Sequence, residues 1–227
     1  MPITTCVFDA YGTLFDVSAA ARLAAQEPDM QPLAECWAAL AEDWRRKQLE
    51  YSWLRAVTGV HCDFWQVTQD GLNWAMEARG ITDAPIRDRL LQLYRELAAY
   101  PEVPGMLAQL KQMGQSTAIL SNGSPGMLAD AVASAGVGDL LDDVLSVERV
   151  GIFKPAAQVY DLVEERFGTR ADQVLFVSSN GWDAASAKAY GFTVAWVNRR
   201  GDPVDRLPGR PDHVLSDLSG ITELKVF

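Results

Sequence analysis

The sequence is poor in the residues that build metal centres and disulfide frameworks. Its 227 residues include three cysteines and two histidines, and Cys6, Cys36 and Cys62 form no CxxC pair. A zinc site is therefore not expected, and an odd number of thiols without a pairing pattern favours a reducing compartment. We assign no catalytic role to His61 or His213.

Positive charge and long apolar runs are also scarce. Lys and Arg number 20 against 30 Asp and Glu, giving a formal net charge of −10, and the cations are scattered along the chain. This balance argues against nucleic acid and anionic membranes as partners. The first residues lack a basic segment followed by an apolar run, and no stretch approaches the ~18 apolar residues of a membrane span. We therefore expect a cytoplasmic protein.

Glycine is nearly absent from one long stretch. Residues 18–99 contain three of the 17 glycines but five of the seven tryptophans. Within them, Leu33, Trp37, Leu40 and Trp44 recur at three- and four-residue spacing, which is typical of an apolar helix face. The pattern predicts an inserted, all-helical cap that resembles a four-helix bundle.

Beyond residue 100, short apolar runs alternate with amphipathic stretches. The runs are 116–122, 143–147, 173–179, 193–198 and 213–217, and helical patterns near 104–113, 126–135, 156–167 and 183–190 separate most of them. Such alternation predicts an α/β fold with a Rossmann-like parallel sheet and helices on both faces. A strand at 3–9 belongs to the same sheet. We therefore expect an α/β core domain (1–17 and 100–227) and a helical cap domain (18–99).

Polar residues gather where the predicted strands end. They are Asp9 to Thr13 after the first strand, Ser121 and Asn122 after the second, Lys154 in a later loop, and Ser178, Ser179, Asn180 and Asp183 after the fourth. A turn or a helix cap would explain most of them one at a time. Ligands, however, bind outside the carboxyl ends of parallel strands. Taken together, these residues predict one site at that edge of the sheet.

Four stretches of the chain resemble the motifs of the haloacid dehalogenase superfamily. They are FDAYGTLFDV (8–17), AILSNGSP (118–125), FKPAAQVY (153–160) and VLFVSSNGWD (174–183). A fifth stretch, WRRKQLEYSWLR (44–55), is similar to a signature of the L-2-haloacid dehalogenase branch. The resemblance spans nearly the whole chain. It implies a hydrolase that converts short-chain L-2-haloalkanoic acids to D-2-hydroxy acids with inversion of configuration.

The chain departs in two places from the phosphatases of that superfamily. Those relatives carry a second Asp two residues after the first, which protonates the leaving group, and this chain has Tyr11 there. Halide needs no proton to leave. Where the phosphatases show Gly-Asp in the fourth motif, this chain has Ser178-Ser179, which leaves Asp183 as the sole carboxylate. Because a hard dication prefers several oxygen ligands with carboxylates among them, we expect no metal and no other cofactor.

The resemblance also implies a role for each catalytic candidate. Asp9 displaces the halide to form an enzyme ester, and Asp183 orients or deprotonates the water that hydrolyses it. Lys154 is expected to keep Asp9 ionised, and Arg45 to assist the departing halide. The supporting catalytic residues are Thr13, Tyr160, Ser178 and Asn180, of which Thr13, Ser178 and Asn180 are expected to fix the oxygens of Asp9 or the developing oxyanion.

A second set of residues is expected to bind substrate. Ser121 would hold the substrate carboxylate and Asn122 would help to cradle the halide. Tyr11, Phe64 and Trp182 would form an apolar wall that excludes water until the ester forms. The expected partners are a halogenated carboxylate, the halide product and a second copy of the chain, since the resemblance suggests a homodimer.

Two other functions remain open from the sequence. Phosphonoacetaldehyde hydrolase, or another phosphohydrolase of the superfamily, is one alternative. Phosphonoacetaldehyde hydrolase also lacks the second Asp and uses a cap lysine as a Schiff base, for which Lys47 is available. The second alternative is a catalytically degenerate scaffold that has become a binding module.

Overall fold

The computed structural model describes residues 2–227, and its central feature is a six-stranded sheet. The strands are β1 (Thr5–Phe8), β2 (Ser116–Ser121), β3 (Asp143–Ser146), β4 (Val174–Ser178), β5 (Thr193–Val197) and β6 (His213–Leu215). They lie in the order β3-β2-β1-β4-β5-β6, and every neighbouring pair is parallel. Each strand lies within two residues of its prediction, which confirms the Rossmann-like parallel sheet.

The central strands are apolar because they are covered on both faces. β1 reads TCVF and β4 reads VLFVS, and every residue of both is buried. Such continuous apolar runs, rich in β-branched and aromatic residues, are typical of strands inside a parallel sheet. β6, at the edge, is short and partly exposed. The strand order reverses at β1, and a sheet of this kind binds its ligands at that reversal.

Four helices cover the sheet. They are α6 (Val103–Gln112), α7 (Pro125–Ala135), α8 (Ala157–Phe167) and α9 (Gly181–Tyr190). α6 and α8 pack against β2, α7 packs against β3, and α9 packs against β4 and β5. All four match the predicted helices, and the α9 N-terminus follows directly on the carboxyl end of β4.

Residues 18–99, the helical segment, contain five helices. They are α1 (Ala19–Ala24), α2 (Gln31–Ala34), α3 (Trp37–Thr58), α4 (Phe64–Glu77) and α5 (Ala84–Arg95). α3 packs along α4, α1 packs against α3 and α5, and α5 packs against α4. The short α2 connects α1 to α3. Four packed helices thus account for the bundle-like cap that the apolar spacing predicts.

The two connections between the helical segment and the sheet run side by side. Phe15 bridges Ala99, and the Tyr100 N–H donates to the Leu14 carbonyl at 2.9 Å. The entrance and exit of the segment are therefore tied together a few residues after β1, at the carboxyl edge of the sheet. Within residues 2–227, no helix is both long and apolar enough to cross a bilayer.

Candidate active site

The Asp9 carboxylate lies directly after β1, where the strand order reverses. Thr13 Oγ1 and Asn180 Nδ2 donate to its Oδ2 at 3.0 and 2.9 Å, and Lys154 Nζ donates to Oδ1 at 3.3 Å. The Asp9 N–H continues the sheet by donating to the Val177 carbonyl at 2.9 Å. A buried carboxylate is tolerated when its oxygens are paired in this way. The three loops that follow β1, β3 and β4 meet at one side chain.

Lys154 lies between two carboxylates. Its Nζ is 3.3 Å from Asp9 Oδ1 and 2.9 Å from Asp183 Oδ2, and its side chain is 1% exposed. The Lys154 N–H donates to Asn122 Oδ1 at 2.9 Å, which anchors the loop that carries the lysine. The expected pairing of Lys154 with Asp9 is therefore present, and Lys154 also forms an ion pair with Asp183.

Asp183 is fully buried in the first turn of α9. Its Oδ1 accepts a hydrogen bond from the Tyr160 hydroxyl at 2.8 Å. Burial raises the pKa of Asp183, the Lys154 ammonium opposes that shift, and the Asp9 charge adds to it. Burial and the Asp183 charge also hold the pKa of Tyr160 well above its ordinary value, so the phenol keeps its proton and donates.

The Ser178 side chain does not make the expected contact with Asp9. Ser178 is the last residue of β4 and is fully buried, and its hydroxyl accepts from the Asn180 N–H at 3.2 Å instead. The neighbouring Ser179 lies beside Thr13, and its N–H donates to Thr13 Oγ1 at 2.8 Å. Ser178 thus shapes the turn that carries Asn180. Ser179, which is not among the predicted site residues, fixes Thr13.

Gly12 allows the tight turn between Asp9 and Thr13. Its φ of +90° lies in the region that favours glycine, and a Cβ there would come within 3.2 Å of Ser179 Oγ. A larger residue at this position would strain the backbone and press on the loop after β4.

Arg45 reaches the site from α3 of the helical segment. Its Nη2 donates to the Tyr11 carbonyl at 3.2 Å and to Asn180 Oδ1 at 3.1 Å, and its Nη1 donates to Gln48 Oε1 at 2.8 Å. All three acceptors are neutral, and no carboxylate among residues 2–227 forms an ion pair with it. Arg46, by contrast, pairs with Asp43 at 2.9 Å on the surface. The Arg45 charge is therefore available to an anion.

Aromatic rings form part of the predicted apolar wall. Tyr11 and Phe64 are both buried, with ring centroids 6.2 Å apart, and Tyr11 also stacks on Tyr94 at 5.7 Å. Tyr94 was not predicted as a member of the site, because its spacing shows only that it belongs to a buried helix face. Trp182 packs edge-on against Trp53 at 5.3 Å, where α9 meets the helical segment.

Ser121 ends β2 and Asn122 follows it. Both keep donors that no protein group accepts in the described part of the chain. Ser121 Oγ accepts from the Gly123 N–H at 3.1 Å, which leaves its proton free. Asn122 uses its Oδ1 for Lys154, which leaves its Nδ2 free. Gly123 gives Tyr11 its space, because a Cβ there would lie 2.8 Å from the Tyr11 ring.

The donor set does not fit the magnesium ion of the superfamily phosphatases. The phosphatases' fourth-motif acid is replaced by Ser178-Ser179, and the two carboxylates that remain, Asp9 and Asp183, both pair with the Lys154 ammonium. No group of three or more His, Cys, Asp or Glu side chains in residues 2–227 could hold a metal. A hard dication needs more oxygen ligands than these two shared carboxylates provide.

Lys47 does not share the position of Arg45. Two residues apart, they lie on different faces of α3. Lys47 Nζ pairs with Glu50 at 2.9 Å and lies 4.5 Å from the centre of the Trp74 ring.

Two open clefts, of about 450 and 660 Å³, lie on the helical segment and include none of the residues around Asp9.

Comparison with known proteins places the chain in one class, the hydrolases. The family model for haloacid dehalogenase-like hydrolases matches residues 3–191. (S)-2-haloacid dehalogenase 1 of Pseudomonas sp. (strain CBS-3) is 41% identical over 224 residues, which cover 98% of this chain and 96% of that protein. The (S)-2-haloacid dehalogenase of Xanthobacter autotrophicus is 45% identical over 198 residues, 87% of this chain and 76% of that protein.

Solved structures agree with these sequence comparisons. An L-2-haloacid dehalogenase from Xanthobacter autotrophicus with chloropropionic acid covalently bound superposes with a TM-score of 0.86 at 37% identity, over 98% of each chain. Another L-2-haloacid dehalogenase superposes with a TM-score of 0.93 at 40% identity, also over 98% of each chain. The chain belongs to the haloacid dehalogenase-like hydrolase family, as its four motifs predict.

Proposed function

We propose that this protein hydrolyses short-chain L-2-haloalkanoic acids to D-2-hydroxy acids through an ester on Asp9. The observation that carries the proposal is the unequal bonding of the Asp9 oxygens. Oδ2 accepts from both Thr13 and Asn180, whereas Oδ1 accepts from Lys154 alone at the longer distance of 3.3 Å. Oδ1 therefore keeps a free lone pair and is the nucleophilic atom.

In the first step, Asp9 Oδ1 attacks the substrate α carbon from the side opposite the halogen. The new C–O bond forms as the carbon–halogen bond breaks, and halide leaves with the electron pair. The α carbon is inverted. Arg45 stabilises the charge that develops on the halide, because a cation ~4 Å away contributes about 4 kcal/mol at an effective dielectric of 20.

In the second step, water attacks the ester carbonyl carbon of Asp9. Asp183 orients this water or takes its proton, and its raised pKa makes it a stronger base than an ordinary aspartate. Negative charge then develops on Asp9 Oδ2, where the Thr13 and Asn180 donors already lie at 3.0 and 2.9 Å. The acyl–oxygen bond breaks, the departing alkoxide takes the proton that came from the water through Asp183, and the hydroxy acid leaves with the inverted centre intact.

Substrate binding uses the donors that the protein leaves free. Ser121 and the amides after Asp9 hold the carboxylate, and Asn122 helps Arg45 to cradle the halide. Tyr11 and Phe64 exclude water from the nucleophile, and Trp182 completes the wall where α9 meets the helical segment. The net charge of −10 does not prevent binding, since charges beyond about 8–10 Å are largely screened at physiological salt.

Isotope labelling tests the ester directly. In a single turnover in heavy-oxygen water with enzyme in excess, label is expected in the Asp9 carboxylate and not in the released hydroxy acid. Mass spectrometry of the peptide that contains Asp9 measures this. Label in the hydroxy acid alone would mean that water attacks the substrate itself, and the ester mechanism would be wrong.

The reaction is proposed to need no metal or other cofactor. The Lys154 ammonium, 3.3 Å from Asp9 Oδ1 and 2.9 Å from Asp183 Oδ2, supplies the positive charge between the two carboxylates. Halide release is expected to be unchanged in excess chelator. Loss of activity that added magnesium restores would contradict this proposal.

The two alternative functions make different predictions. Schiff-base chemistry at Lys47 would allow borohydride to trap phosphonoacetaldehyde on that residue, but its pairing with Glu50 and Trp74 favours a structural role. A binding module would release no halide from L-2-chloropropionate or chloroacetate although folded. One halide-release assay with L- and D-2-chloropropionate separates the dehalogenase from both alternative functions, since only the dehalogenase releases halide, and it does so from the L form.

The organisation of the molecule is also part of the proposal. Residues 1–17 and 100–227 act as the catalytic core domain and residues 18–99 as a cap domain. The cap contributes to a homodimer, and the exposed apolar side chains of Leu54, Val57 and Val60 on and after α3 support this. Light scattering tests the oligomeric state. A cytoplasmic location is consistent with the unpaired cysteines.

A further inference from the structure

The interior of the helical segment contains a cluster of buried polar side chains. Gln48 of α3 is 1% exposed, Thr68 of α4 is 0% exposed and Tyr94 of α5 is 4% exposed. Polar groups in a helical interior are costly unless each is paired, and Leu or Met would pack there more simply. The cluster therefore calls for a reason beyond the stability of the three helices.

The hydrogen bonds in this cluster have a fixed direction. The Phe64 carbonyl can only accept, so the Thr68 hydroxyl donates to it at 2.7 Å. Thr68 Oγ1 must then accept from Gln48 Nε2, also at 2.7 Å. The orientation of the Gln48 amide follows, because its nitrogen faces Thr68. Its oxygen must face the opposite way, toward Arg45.

Arg45 is the group at the end of this chain of hydrogen bonds. Gln48 lies three residues after Arg45 on the same face of α3, and its Oε1 accepts from Arg45 Nη1 at 2.8 Å. The Tyr94 hydroxyl, 3.2 Å from the same oxygen and 3.1 Å from Nε2, supports the amide from the other side. A neutral acceptor orients the guanidinium and leaves its positive charge uncompensated.

We propose that Gln48 is a positioning residue, which aims the Arg45 guanidinium at the departing halide through the Thr68–Gln48–Arg45 hydrogen bonds. The inference rests on the proposed function, since it needs halide as the leaving group. Without the Gln48 oxygen, the flexible arginine side chain samples other directions, and halide departure loses a preorganised cation. Chloride suffers more than bromide from this loss, because it is the poorer leaving group.

Leaving-group dependence separates positioning from general structural damage. Halide release is measured in single turnovers, with enzyme in excess, on L-2-chloropropionate and L-2-bromopropionate. In Gln48→Met, which keeps the volume and removes the acceptor, we expect chloride release to slow about 10-fold to 100-fold. Bromide release should slow less, so that the bromide-to-chloride rate ratio rises at least about threefold.

A second variant covers the case in which Gln48→Met does not fold. Thr68→Val is nearly isosteric and removes only the group that orients the amide. It is expected to raise the same rate ratio by a smaller factor. Leu90→Ala, which creates a cavity at a fully buried position of α5, is the destabilised control, and Gln92→Met on the exposed face of α5 is the surface control. Neither control should change the ratio.

The outcomes are distinct for the two proposals. If the unmodified protein releases no halide from either substrate, the proposed function itself is wrong. If the unmodified protein is active and the Gln48 and Thr68 variants slow both halides equally, as Leu90→Ala does, the positioning role is wrong. Full chloride-release activity in Gln48→Met would also overturn it.

Discussion

At the carboxyl edge of the sheet, the Lys154 ammonium forms buried ion pairs with both Asp9 and Asp183. In the helical segment, Arg45 has no carboxylate partner among residues 2–227 and is held by Tyr11, Asn180 and Gln48 through neutral oxygens. Both arrangements fix a charged group, but with opposite results. At the sheet edge one ammonium is shared by two carboxylates, while the charge from the helical segment stays available to an incoming anion.

This difference suits the two kinds of work that the site must do. The nucleophile and base must keep their geometry through two chemical steps, and a buried network attached to strand ends provides that rigidity. The anion-binding group must attract substrate and then release halide. An arginine paired with a protein carboxylate would bind the incoming anion weakly. The surface pair of Arg46 with Asp43 shows that α3 can form such a pair one residue away.

Replacing the nucleophile is expected to have the largest effect on halide release. Asp9→Asn keeps the size of the side chain but lacks a nucleophilic carboxylate, so halide release should fall by about 10⁴-fold or more. Circular dichroism should show an unchanged fold. Asp130→Asn on the surface of α7 is the matched control and should keep full activity. Substantial halide release by Asp9→Asn would rule out the ester.

Removing the cation of the sheet network should affect both activity and stability. Lys154→Met leaves Asp9 and Asp183 buried without the ammonium between them, so the free energy of unfolding should fall by about 3–5 kcal/mol at neutral pH. Halide release should fall by about 10³-fold.

Urea denaturation and halide release measure the two effects of Lys154→Met. Lys188 pairs with Asp212 at 2.8 Å on the surface, and Lys188→Met should cost less than about 1 kcal/mol. Equal losses of stability in the two variants would show that the buried network does not differ from a surface ion pair.

The two neighbouring arginines test the contribution of the helical segment. Arg45→Lys keeps the charge but cannot reach its three acceptors at once, so halide release should fall by about 10²-fold with little change in stability. Arg46→Lys should stay within about twofold of the unmodified protein. Steady-state halide release measures both. If the two variants behave alike, Arg45 has no special role.

The pH dependence of Asp183 should show the smallest effect. Burial, opposed by Lys154 and reinforced by Asp9, holds the pKa of Asp183 above its ordinary value of 3.8. Ester breakdown needs the ionised form, and burial, the largest cause of the raised pKa, persists when Asp9 is esterified and uncharged. The rate should therefore rise with an acid-limb midpoint above pH 3.8. A rapid-quench pH profile measures this, and a midpoint at or below that value would contradict the assignment.

Stability should change in the opposite direction over the same pH window. A carboxyl group with a raised pKa in the folded state binds protons more tightly there, and its stabilising effect is complete below pH 3.8. That effect is lost as pH rises through the folded-state pKa. Urea denaturation of the protein and of Asp183→Asn across this window should show a pH-dependent difference of this sign.

Much of the fold could be predicted because its signals are local. The apolar runs of the central strands, the helical patterns between them and the low glycine content of residues 18–99 each reflect burial or backbone freedom within a short stretch. The six strands and four covering helices follow from them. The edge of the sheet that bears the site follows too, since parallel strands share one carboxyl edge.

The errors and omissions at the site have a different origin. Ser178 and Ser179 are adjacent and chemically identical, and which one faces Thr13 depends on where β4 ends and on its register with β1. Gln48 lies between Lys47 and Leu49 in the sequence, and nothing in that pattern distinguishes it from a surface glutamine. Its role emerges only from the packing of α3 against α4 and α5.

The order of residues shows which catalytic groups the protein has and which it lacks. Asp9 at the end of a buried strand, Tyr11 in place of a second acid, and the serines in place of a metal-binding aspartate are all visible in the order of residues. The pairing of one lysine with two aspartates is visible only in the folded structure. Lys154 lies 145 residues from Asp9 and 29 from Asp183 along the chain, and no local rule specifies a hydrogen bond to both. The folded sheet brings them together because its strand ends converge, and the packed helices leave Arg45 uncompensated above them.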